Sequence, residues 1–449
     1  MSDLTADHTV EDDYPGLGAS CYCLSLLFVA YIFSFIDRSI LALLVGPIRE
    51  DFGITDFEFS LLQGVAFSLL YTIAGLPLGR LADRYARKWI VSGSVFFWSV
   101  ATAAGGLTQN FTQLFIARMG VGAGEAGLAP PAYSLISDSF RPNQVGYAMS
   151  FYKLGVKVGA GVAFIIGGVL FDYFSSFERL VLPGFGEIKA WQATMIAVGA
   201  PGVLLSLALL TITEPSRKGL VKTGTDSTHL PVRVVASYIW QHGRTYITLF
   251  LGASMMAMAG YGTSAWYPEL FARHYDMSKT DAGIAYGTIV LVAGSVGVML
   301  GAWFARSLES RGHKDSWVRA CFWTSLIATP FMVLGPLSGS AAWNIALLWP
   351  GVVMAGSYLG VLAVSIIVIT PNQMRGQVTA VYIFVTNILG MALGTSVLAA
   401  FTDFLFKDDA LLHYSVATAC GLFYPLAAVF FWLCMPAFRQ AVEHYEANR

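Results

Sequence analysis

Long apolar segments separated by short polar turns run along nearly the whole chain of 449 residues. A helix needs about 20 residues to cross the roughly 30 Å of hydrocarbon in a bilayer. Runs without a charged residue that approach or exceed this length lie at 14–36, 59–79, 90–117, 190–213, 245–268, 282–305, 320–374, 376–402 and 414–438. This pattern predicts a bundle of membrane-spanning helices.

Twelve spans account for these runs and for the segments between them. The run at 320–374 must hold two spans, because the turn-forming sequence P-L-S-G-S at 336–340 divides it. Two further spans, at about 112–139 and 144–172, contain charged residues. In the first of them, the Pro130-Pro131 pair predicts a bend just past Glu125, which serves either as a gating hinge or only in packing. We number the predicted spans 1 to 12 in chain order.

The sequence also contains a weak internal duplication. D-F-G-I-T-D-F-E-F-S-L-L-Q-G at 51–64 aligns with H-Y-D-M-S-K-T-D-A-G-I-A-Y-G at 274–287, and each contains a capping-box sequence before a span. P-N-Q at 142–144 likewise matches 371–373. These offsets equal about half the chain, so we predict an all-α membrane protein with twelve transmembrane helices in two parallel six-helix repeats.

The repeat sets the predicted domain organisation. We expect an N-terminal tail at 1–17, a first six-helix bundle at 18–213, a linker at 214–237, a second six-helix bundle at 238–440 and a C-terminal tail at 441–449. The tail before the first apolar run is acidic and contains no Lys or Arg, which is the reverse of a secretory signal peptide. Span 1 is therefore expected to be retained.

Composition and loop charge refine this picture. With 56% hydrophobic and 12% charged residues and a mean hydropathy of +0.62, the chain is too apolar for a water-soluble globule. Loops on the side of the termini carry 17 Lys and Arg, against six on the opposite side. The positive-inside rule then places both termini in the cytoplasm. We expect a multi-pass protein of the cell (inner) membrane, or of the lysosomal membrane if the source is eukaryotic.

The remaining chemistry excludes several function classes. The formal net charge is −1, which argues against a nucleic-acid partner. The seven histidines lie in tails, loops or span ends without metal-ligand spacing, and no hydrolase, P-loop or zinc-protease motif occurs. We therefore expect no enzymatic activity, no cofactor, no metal and a monomer in the lipid bilayer.

The loop between spans 2 and 3 has the sequence G-R-L-A-D-R-Y-A-R-K at 79–88. It resembles the loop motif G-x-L-a-D-r-x-G-r-k of the major facilitator superfamily, with Ala86 where the family often has Gly. The resemblance covers essentially the full chain and implies alternating access, with residues 18–213 rocking against 238–440. The alternative is a loop whose positive charge serves only to orient the chain.

Within this motif, the resemblance implies a latch on the cytoplasmic gate. Gly79 would let two backbones approach closely. Asp83 would sit at the N-terminus of the helix that starts near Arg375, where the helix dipole favours an anion. Arg84 and Arg87 would add pairing across the two halves, and together these residues would latch the cytoplasmic gate when the transporter faces outward. The corresponding loop of the second half has no acid at the matching position, so the latch is expected to be one-sided.

Ionisable residues inside spans are costly and are candidate functional residues. Asp37 in span 1 lies at a depth between those of Arg118 and Glu125 in span 4, which are seven residues apart and share a helix face. We expect Asp37 to pair with Arg118 and to alternate with Glu125 as its partner, so that a proton or an anionic substrate changes the pairing. The alternative is a buried ion network that only holds spans 1 and 4 together.

Three further cations lie in spans 1 and 5. Arg38 faces away from Asp37, because adjacent helical positions differ by about 100°. We assign it to the substrate head, since Arg suits bidentate capture of phosphate or carboxylate, with snorkelling to the membrane surface as the alternative. Lys153 and Lys157 share a face and are candidate substrate contacts, and charge balance or snorkelling is the competing interpretation.

The second half presents long charge-free spans that contain aromatic residues. Tyr261, Tyr358 and Tyr382 are candidate substrate contacts among them. A cavity with one cationic wall and one apolar wall suits an amphiphilic anion, whereas a sugar would require more hydrogen-bonding side chains on both walls. The sequence therefore favours an amphiphilic lipid substrate.

Three first-half sequences narrow the resemblance. F-I-D-R-S at 35–39, D-F-G-I-T-D-F-E-F-S-L-L-Q at 51–63 and R-M-G-V-G-A-G-E-A at 118–126 resemble the spinster branch of the superfamily. This resemblance implies transport of lysophospholipids or sphingosine phosphates, with Asp37, Arg118 and Glu125 as the protonation and gating core and Arg38 as the head-group contact. Proton-coupled organic-anion symport or drug efflux is the second hypothesis, and a non-transporting receptor or scaffold is the third.

Overall fold

The computed structural model describes residues 14–217 and 232–447. Most of the predicted N-terminal tail, the middle of the predicted linker and the last two residues lie outside these ranges.

All twelve predicted spans are helical. Eight are single helices: span 1 Leu17–Ser39, span 3 Arg87–Gly105, span 5 Pro142–Ser175, span 6 Ala190–Leu209, span 7 Gly243–Tyr275, span 8 Lys279–Ser310, span 9 Ser316–Leu334 and span 12 Leu412–Ala447. Within the described ranges, nine of the twelve are long and apolar enough to cross a membrane on length and composition alone; spans 3, 4 and 7 are the exceptions.

Four spans are built from two helices each. They are span 2, Asp56–Gln63 and Val65–Arg84; span 4, Phe111–Glu125 and Ala129–Ser139; span 10, Ala341–Gly356 and Tyr358–Ile369; and span 11, Arg375–Asn387 and Gly394–Ala400. Span 11 also contains two π-helical segments, Ile388–Leu393 and Phe401–Phe406. The interruption in span 4 follows Glu125, as the Pro130-Pro131 pair predicts, because both prolines lie in the first turn of the next helix.

Short elements connect the spans. A 3₁₀ turn at Ile40–Leu43 extends span 1, a helix at Val45–Phe52 follows it, and an antiparallel hairpin of Leu180–Leu182 and Gly186–Ile188 joins spans 5 and 6. Further 3₁₀ turns lie at Asn372–Met374 and Asp409–Leu411. A linker helix at Val232–Gln241 precedes span 7, so the predicted domain boundary at 237/238 falls inside a helix.

The packing of the spans repeats after six. Span 1 packs on span 5 as span 7 packs on span 11, span 3 on span 6 as span 9 on span 12, and span 2 on span 4 as span 8 on span 10. The two halves meet where span 5 contacts span 8 and where span 2 contacts span 11. These pairings confirm the predicted fold of two parallel six-helix repeats.

Twelve crossings return the chain to the end of the bundle at which it starts. We call this the terminal end, because both described chain ends lie there, and the opposite end the far end. At the far end, Asp56 of span 2 binds Arg273 of span 7 with two N–O distances of 2.8 Å. Arg49 bridges Asp56 at 3.0 Å and Asp409 at 2.8 Å. The structure is therefore closed at its far end by ion pairs between the halves.

Glycines let the helices of the two halves touch at this closure. A Cβ atom on Gly64 of span 2 would lie 2.7 Å from the carbonyl oxygen of Met391 in span 11. A Cβ atom on Gly283 of span 8 would lie 2.2 Å from the carbonyl oxygen of Phe164 in span 5. No larger residue fits at either position without moving a backbone.

The duplicated capping sequence is confirmed at both far-end span starts, with one difference. Thr55 Oγ1 accepts the Glu58 N–H at 3.2 Å, and the Glu58 carboxylate accepts the Thr55 N–H at 2.9 Å, so the complete capping box forms. Ser278 Oγ accepts the Asp281 N–H at 3.0 Å, but the Asp281 carboxylate accepts from the Ser278 hydroxyl. The aspartate side chain is one methylene shorter than glutamate, so it does not reach the backbone.

Candidate functional site

A cavity of about 290 Å³ lies between the two halves. Its first-half wall includes Arg38, Gln63 and Lys157. Its second-half wall is formed mostly by Ala, Met and Tyr side chains, among them Met256 and Tyr424. The cavity therefore has one wall with two cations and one wall that is largely apolar with tyrosine hydroxyl groups.

Arg38 and Glu125 form the central ion pair of the site. The Arg38 Nε lies 2.5 Å from Oε2 of Glu125. Ser34, one turn before Arg38 on span 1, donates its hydroxyl to the same oxygen, also at 2.5 Å. The Glu125 side chain is fully buried, whereas 14% of the Arg38 side chain remains exposed towards the cavity. The pair thus connects the cavity wall to the point where span 4 is interrupted.

Three aromatic rings surround the guanidinium group of Arg38. Its Cζ atom lies 4.9 Å from the ring centroid of Phe35 and 4.8 Å from those of Phe67 and Tyr71. Cation–π contacts at these distances stabilise a cation in a poorly hydrated site. Arg38 is therefore held in place by one carboxylate and three rings.

Arg118 binds the backbone of span 1. Its Nη1 donates to the carbonyl oxygen of Asp37 at 2.9 Å, and Arg118 itself is 1% exposed. The α-helix of span 1 ends at Ser39 and continues as a 3₁₀ turn, and carbonyl groups in the last turn of an α-helix lack intrahelical partners. Arg118 thus donates a hydrogen bond to a carbonyl group at the end of span 1 that lacks a partner within the α-helix.

The Asp37 carboxylate lies in a separate buried pocket. Asp37 is 1% exposed, and among the described residues neither of its carboxylate oxygens has a hydrogen-bond partner. Trp98 and Thr102 of span 3 are its polar neighbours, and the Trp98 Nε1 and the Thr102 hydroxyl are also unpaired within the described ranges. The pocket therefore holds an unpaired acid beside two unused hydrogen-bond donors.

The predicted pairing of the core was wrong in its partners. Asp37, Arg118 and Glu125 are brought together and buried, but Glu125 pairs with Arg38, and Arg118 binds the Asp37 main chain and not its carboxylate. Arg38 is likewise not the free cation expected for the substrate head. The reason is that Ser34 and Arg38 share a helix face that points to Glu125, whereas Asp37 points to span 3.

The two lysines of span 5 lie in different environments. Lys157 lines the cavity, and it makes no ion pair with any residue of the described ranges. Its stem packs on span 8, where a Cβ atom at Gly294 would lie 3.3 Å from the lysine Cδ and 3.5 Å from its Nζ. Lys153, one turn closer to the terminal end, is exposed and does not line the cavity. Among the described residues that line the cavity, Lys157 is thus the cation without an ion-pair partner.

Two of the three predicted tyrosine contacts line the cavity, and the third does not. Tyr261 and Tyr358 line the cavity. Tyr382 does not line it and packs on Phe250 within the second half, with a centroid distance of 5.8 Å. Tyr382 is therefore corrected from a cavity residue to a packing residue in this conformation.

Arg87 of the loop motif forms a buried network inside the first half. It is fully buried, and its Nε lies 2.8 Å from Glu214 Oε1. Its other nitrogens donate to Ser134 Oγ at 2.7 Å, to the Pro215 carbonyl oxygen at 2.8 Å and to the carboxylate of Asp138. In this conformation, closed at the far end, Arg87 therefore pairs inside the first half, with partners on span 4 and immediately after span 6. Its pairing across the halves when the terminal end closes stays a prediction.

The start of the linker also binds the motif loop. Arg217 donates to the carbonyl oxygens of Ala82 and Tyr85, both at 2.7 Å, and to that of Asp83. Burial raises the pKa of Glu214, but hydrogen bonds from the Arg87 side chain and from the backbone of Lys88 and Arg87 outweigh it and lower the pKa below 4.5. The loop is thus fixed to the first half from the linker side.

The other gating residues occupy a latch that is not closed. Asp83 and Arg84 are exposed, and a Cβ atom on Gly79 would meet nothing within 4 Å, so the close backbone approach predicted at Gly79 is absent here. Arg375 begins the helix of span 11, as predicted, and its Nε donates to the Thr370 carbonyl oxygen at 3.1 Å. A latch at the terminal end is expected to be open when the far end is closed.

Several site residues were missed by sequence reasoning. Ser34 is one turn from Arg38, so its helical spacing was an available signal. Gln63 is a polar residue in an otherwise apolar part of span 2, which was a second signal. Tyr424 and Met256 carry no sequence signal, because only the arrangement of the spans places them on the cavity wall.

Comparison with known proteins agrees with this geometry. The family model of the Major Facilitator Superfamily matches residues 27–395. An MFS-type efflux pump of Mycolicibacterium smegmatis is 22% identical over 91% of both chains. Protein spinster homolog 1 of Bos taurus is 23% identical over 87% of this chain and 74% of its own. A probable L-galactonate transporter of Escherichia coli is 27% identical over 64% of this chain and 62% of its own.

A solved structure supports the same assignment. The crystal structure of a bacterial homolog to the human lysosomal transporter spinster, in an inward-facing and unoccupied conformation, has a TM-score of 0.77 and 25% sequence identity, and the match covers 97% of this chain and 99% of that one. The repeated spans, the loop motif and the cavity between the halves are all parts of that fold. The chain therefore belongs to the Major Facilitator Superfamily and is a multi-pass secondary transporter similar to the spinster proteins.

Proposed function

We propose that the protein transports an amphiphilic anion, a lysophospholipid or a sphingosine-phosphate-like lipid, by proton-coupled alternating access. The observation that carries this proposal is the cavity between the halves, which sets the cations Arg38 and Lys157 opposite a wall of Met and Tyr side chains. An acyl chain fits the apolar wall, and an anionic head group fits the cationic one.

Lys157 is the main contact that we propose for the head group. Arg38 is already neutralised by Glu125, so it offers a further anion less attraction than Lys157 does. Lys157 extends from span 5 across to Gly294 of span 8, so an anion bound to it touches both halves. Tyr261 and Tyr358 would donate hydroxyl groups to the same head group. A substrate in this position is released when the halves separate.

Proton coupling is assigned to Asp37 and Glu125, with Arg118 and Arg38 as their cationic neighbours. A buried ionised carboxylate without a partner is costly, so Asp37 is suited to take up a proton while the cavity is closed to one side. Protonation of Glu125 would release Arg38 from its 2.5 Å contact. The freed guanidinium would then be available to the substrate head, which links the proton to the substrate.

Orientation and gating complete the proposal. The excess of Lys and Arg in loops at the terminal end supports an orientation in which that end, with both termini, faces the cytoplasm. The host membrane that we propose is the cell (inner) membrane, or the lysosomal membrane in a eukaryote. The protein would act as a monomer. Asp83, Arg84 and Arg375 would close the terminal end when the far end opens.

A second candidate is proton-coupled transport of a small organic anion. The galactonate relative favours it, as do the polar cavity residues Gln63, Thr263 and Ser264. A small polar anion would use Lys157 but not the apolar wall. Competition separates the candidates, because an excess of a hydroxy acid should displace a labelled lysolipid strongly if a small organic anion is the substrate and only weakly if a lipid is.

The test is flux in proteoliposomes with an imposed pH gradient. Uptake of a radiolabelled lysophospholipid by the full chain should depend on the gradient and should lose that dependence in Asp37→Asn and Glu125→Gln. Asp51→Asn is the matched control, because this acid pairs with Lys189 and Trp191 at the far end of the same half. Gradient-dependent flux that survives in both core variants would overturn the coupling assignment, and absence of lysolipid flux in the wild type would overturn the substrate.

A further inference from the structure

Two aspartates of one half each bind the start of a helix in the other half. Asp172, near the end of span 5, accepts the backbone N–H of Thr280 at 2.8 Å through its Oδ2. Asp403, in the last part of span 11, accepts the backbone N–H of Phe57 at 2.7 Å through its Oδ2. Both carboxylates are half-buried at the far end. Each contact crosses from one half to the other.

The two contacts are related by the internal repeat. Spans 5 and 11 are equivalent, and so are spans 8 and 2. Thr280 and Phe57 each occupy the second position of their helix, two residues after the capping residues Ser278 and Thr55. The same donor position is therefore used in both halves.

The positions of the two aspartates along their spans also agree. Pro142 and Pro371 begin equivalent segments 229 residues apart, whereas Asp172 and Asp403 are 231 residues apart. Span 11 contains two π-helical segments, whose i→i+5 hydrogen bonds enclose one more residue than those of an α-helix. Both segments begin before Asp403, so the wider turns of span 11 act in the direction needed to bring Asp403 to the level of Asp172.

Each helix start leaves this N–H group for an external acceptor. The first N–H groups of a helix have no intrahelical partner. The capping residues Thr55 and Ser278 satisfy the third position, through Glu58 N–H and Asp281 N–H, and not the second. A carboxylate at the second position completes the hydrogen bonding and also interacts favourably with the helix dipole. The acceptor comes from the other half, so it is lost when the halves separate.

We propose that Asp172 and Asp403 form a twin latch that holds the far end closed and is released when the far end opens. The proposal rests on alternating access, but it concerns the end of the molecule opposite the loop motif at 79–88. It also differs from the Asp56–Arg273 ion pair, because the partners of the latch are backbone groups that no side-chain substitution removes. Sequence similarity between the halves is weak, yet the geometry of the latch is duplicated.

Asp172 gives the sharper test of the two. The carboxylate oxygens of Asp403, Asp56 and Asp409 lie within 4.8 Å of one another, and Arg49 and Arg273 bind two of these acids. Replacing Asp403 therefore also changes an ion-pair cluster. At Asp172, the Thr280 N–H is the hydrogen-bond partner of the carboxylate, so its loss isolates the latch.

The experiment measures the distance between the halves at the far end by pulsed electron paramagnetic resonance. Spin labels are placed by Val181→Cys on the hairpin and Leu337→Cys before span 10, both exposed, with exposed Cys21 replaced by Ser. The full chain is compared with Asp172→Ala, Asp403→Ala and both together. Asp51→Ala is the matched control, because it removes a far-end carboxylate bound to Trp191 in its own half.

We expect longer distances to gain population in both latch variants. Removing one capping carboxylate should raise the ratio of open to closed far ends roughly 2- to 30-fold, and the double variant should multiply the two effects. Asp172→Asn should shift the ratio less than Asp172→Ala, because the amide oxygen still accepts the N–H. This milder variant decides the matter if Asp172→Ala does not fold.

A distance distribution in the Asp172 variants equal to that of Asp51→Ala would overturn the latch. An equal shift in all variants including Asp51→Ala would also overturn it, because the effect would then be non-specific. The readout needs no substrate, so a failed lysolipid assay and a failed latch are distinguishable.

Discussion

At the residue scale, the neighbours of each charge decide what it can do. Asp37 and Arg38 are adjacent in sequence, yet Arg38 faces the cavity and pairs with Glu125, whereas the Asp37 carboxylate is unpaired beside span 3. Helical geometry separates them by about 100°, so the two charges belong to different environments. One is bound to an acid and aromatic rings, whereas the other has no hydrogen-bond partner among the described residues.

Lys157→Gln should weaken binding of anionic amphiphiles far more than of neutral ones. The amide is one methylene shorter but still polar, and it removes the positive charge of Lys157 from the cavity, so we expect a loss of about tenfold in affinity, corresponding to about 1.4 kcal/mol. The measurement is displacement of a labelled lysolipid by phosphate-headed and by uncharged competitors in detergent solution.

Lys153→Gln is the control for this variant. Lys153 lies one turn away on the same span but is exposed and outside the cavity lining. Its loss should leave both affinities unchanged. Equal weakening by the two variants, or equal loss for charged and neutral ligands in Lys157→Gln, would contradict the role of Lys157 as a head-group contact.

The sequence predicted which charges are buried but not which of them pair. Asp37, Arg118 and Glu125 stand out in apolar spans, and each is 1% exposed. Partner choice depends on where span 1 changes from α to 3₁₀ helix, because this change frees the carbonyl oxygen that Arg118 binds. A residue pattern does not specify that end point, so the carboxylate partner of Arg118 was predicted incorrectly.

At the element scale, hydrophobic runs located the helices well because span length is fixed by the bilayer. The Pro130-Pro131 pair located the interruption of span 4. The π-helical segments of span 11 had no such signal, because they contain neither a proline nor a charge cluster. They are seen only in the structure, where they agree with the positions of Asp172 and Asp403.

Two glycines should respond differently to Ala substitution. A Cβ atom on Gly122 would lie 2.2 Å from the Phe67 carbonyl oxygen within the first half, and one on Gly283 equally close to the Phe164 carbonyl oxygen of the other half. Gly122→Ala should lower stability by about 1–3 kcal/mol, because the clash is inside one bundle. Gly283→Ala should retain stability and instead open the far end.

Thermal unfolding in detergent and the far-end distance measurement check this pair. The stability loss should appear in Gly122→Ala and the distance change in Gly283→Ala. A large stability loss in Gly283→Ala with an unchanged distance would show that the two halves unfold together instead of separating.

Glu214→Gln should lower stability at neutral pH and have less effect in acid. The pKa of Glu214 is lower in the folded protein than its ordinary value of 4.5, because hydrogen bonds from Arg87 and Lys88 outweigh burial. The ionised group therefore stabilises the fold at pH values above 4.5, and this contribution is lost as the pH falls through the folded-state pKa. We expect a deficit of about 1 kcal/mol at pH 7.

Unfolding of wild type and variant at pH 7 and pH 4 measures the change. The difference in unfolding free energy between wild type and Glu214→Gln should be smaller at pH 4, because the unfolded chain binds a proton at this position more readily than the folded one. Glu187→Gln, on the exposed hairpin, should have the same unfolding free energy as wild type at both pH values. A free-energy difference for Glu214→Gln that is the same at both pH values would mean that the shape of the side chain, and not its charge, stabilises the fold at this position.

At the scale of the whole molecule, the two halves keep equivalent contacts between spans but place the acidic and basic partners at opposite positions. Arg87 at the start of span 3 binds Glu214 after span 6. In the second half, Asp315 at the start of span 9 binds Arg439 of span 12 at 3.1 Å. An ion pair therefore joins the equivalent spans in both halves, but the acid and the base have exchanged positions. Weak sequence similarity therefore hides a duplication that contact geometry shows clearly.

Rocking of the two halves predicts that one covalent bond across the far end stops transport. Ser60 of span 2 and Ser396 of span 11 have hydroxyl oxygens 3.0 Å apart, which brings their Cβ atoms close to the separation that a disulfide needs. Oxidation of a Ser60→Cys, Ser396→Cys variant should abolish flux in proteoliposomes, and a reductant should restore it.

A matched bond inside one half separates blocked rocking from local damage. Thr402 and Ser415 of the second half have hydroxyl oxygens 2.8 Å apart and are both buried. A disulfide between cysteines at these two positions leaves the halves free to separate, so oxidation there should leave most of the flux intact. Flux that continues through the fully oxidised Ser60–Ser396 pair would mean that the far end need not open, because a bond fixed at that point permits no separation of spans 2 and 11.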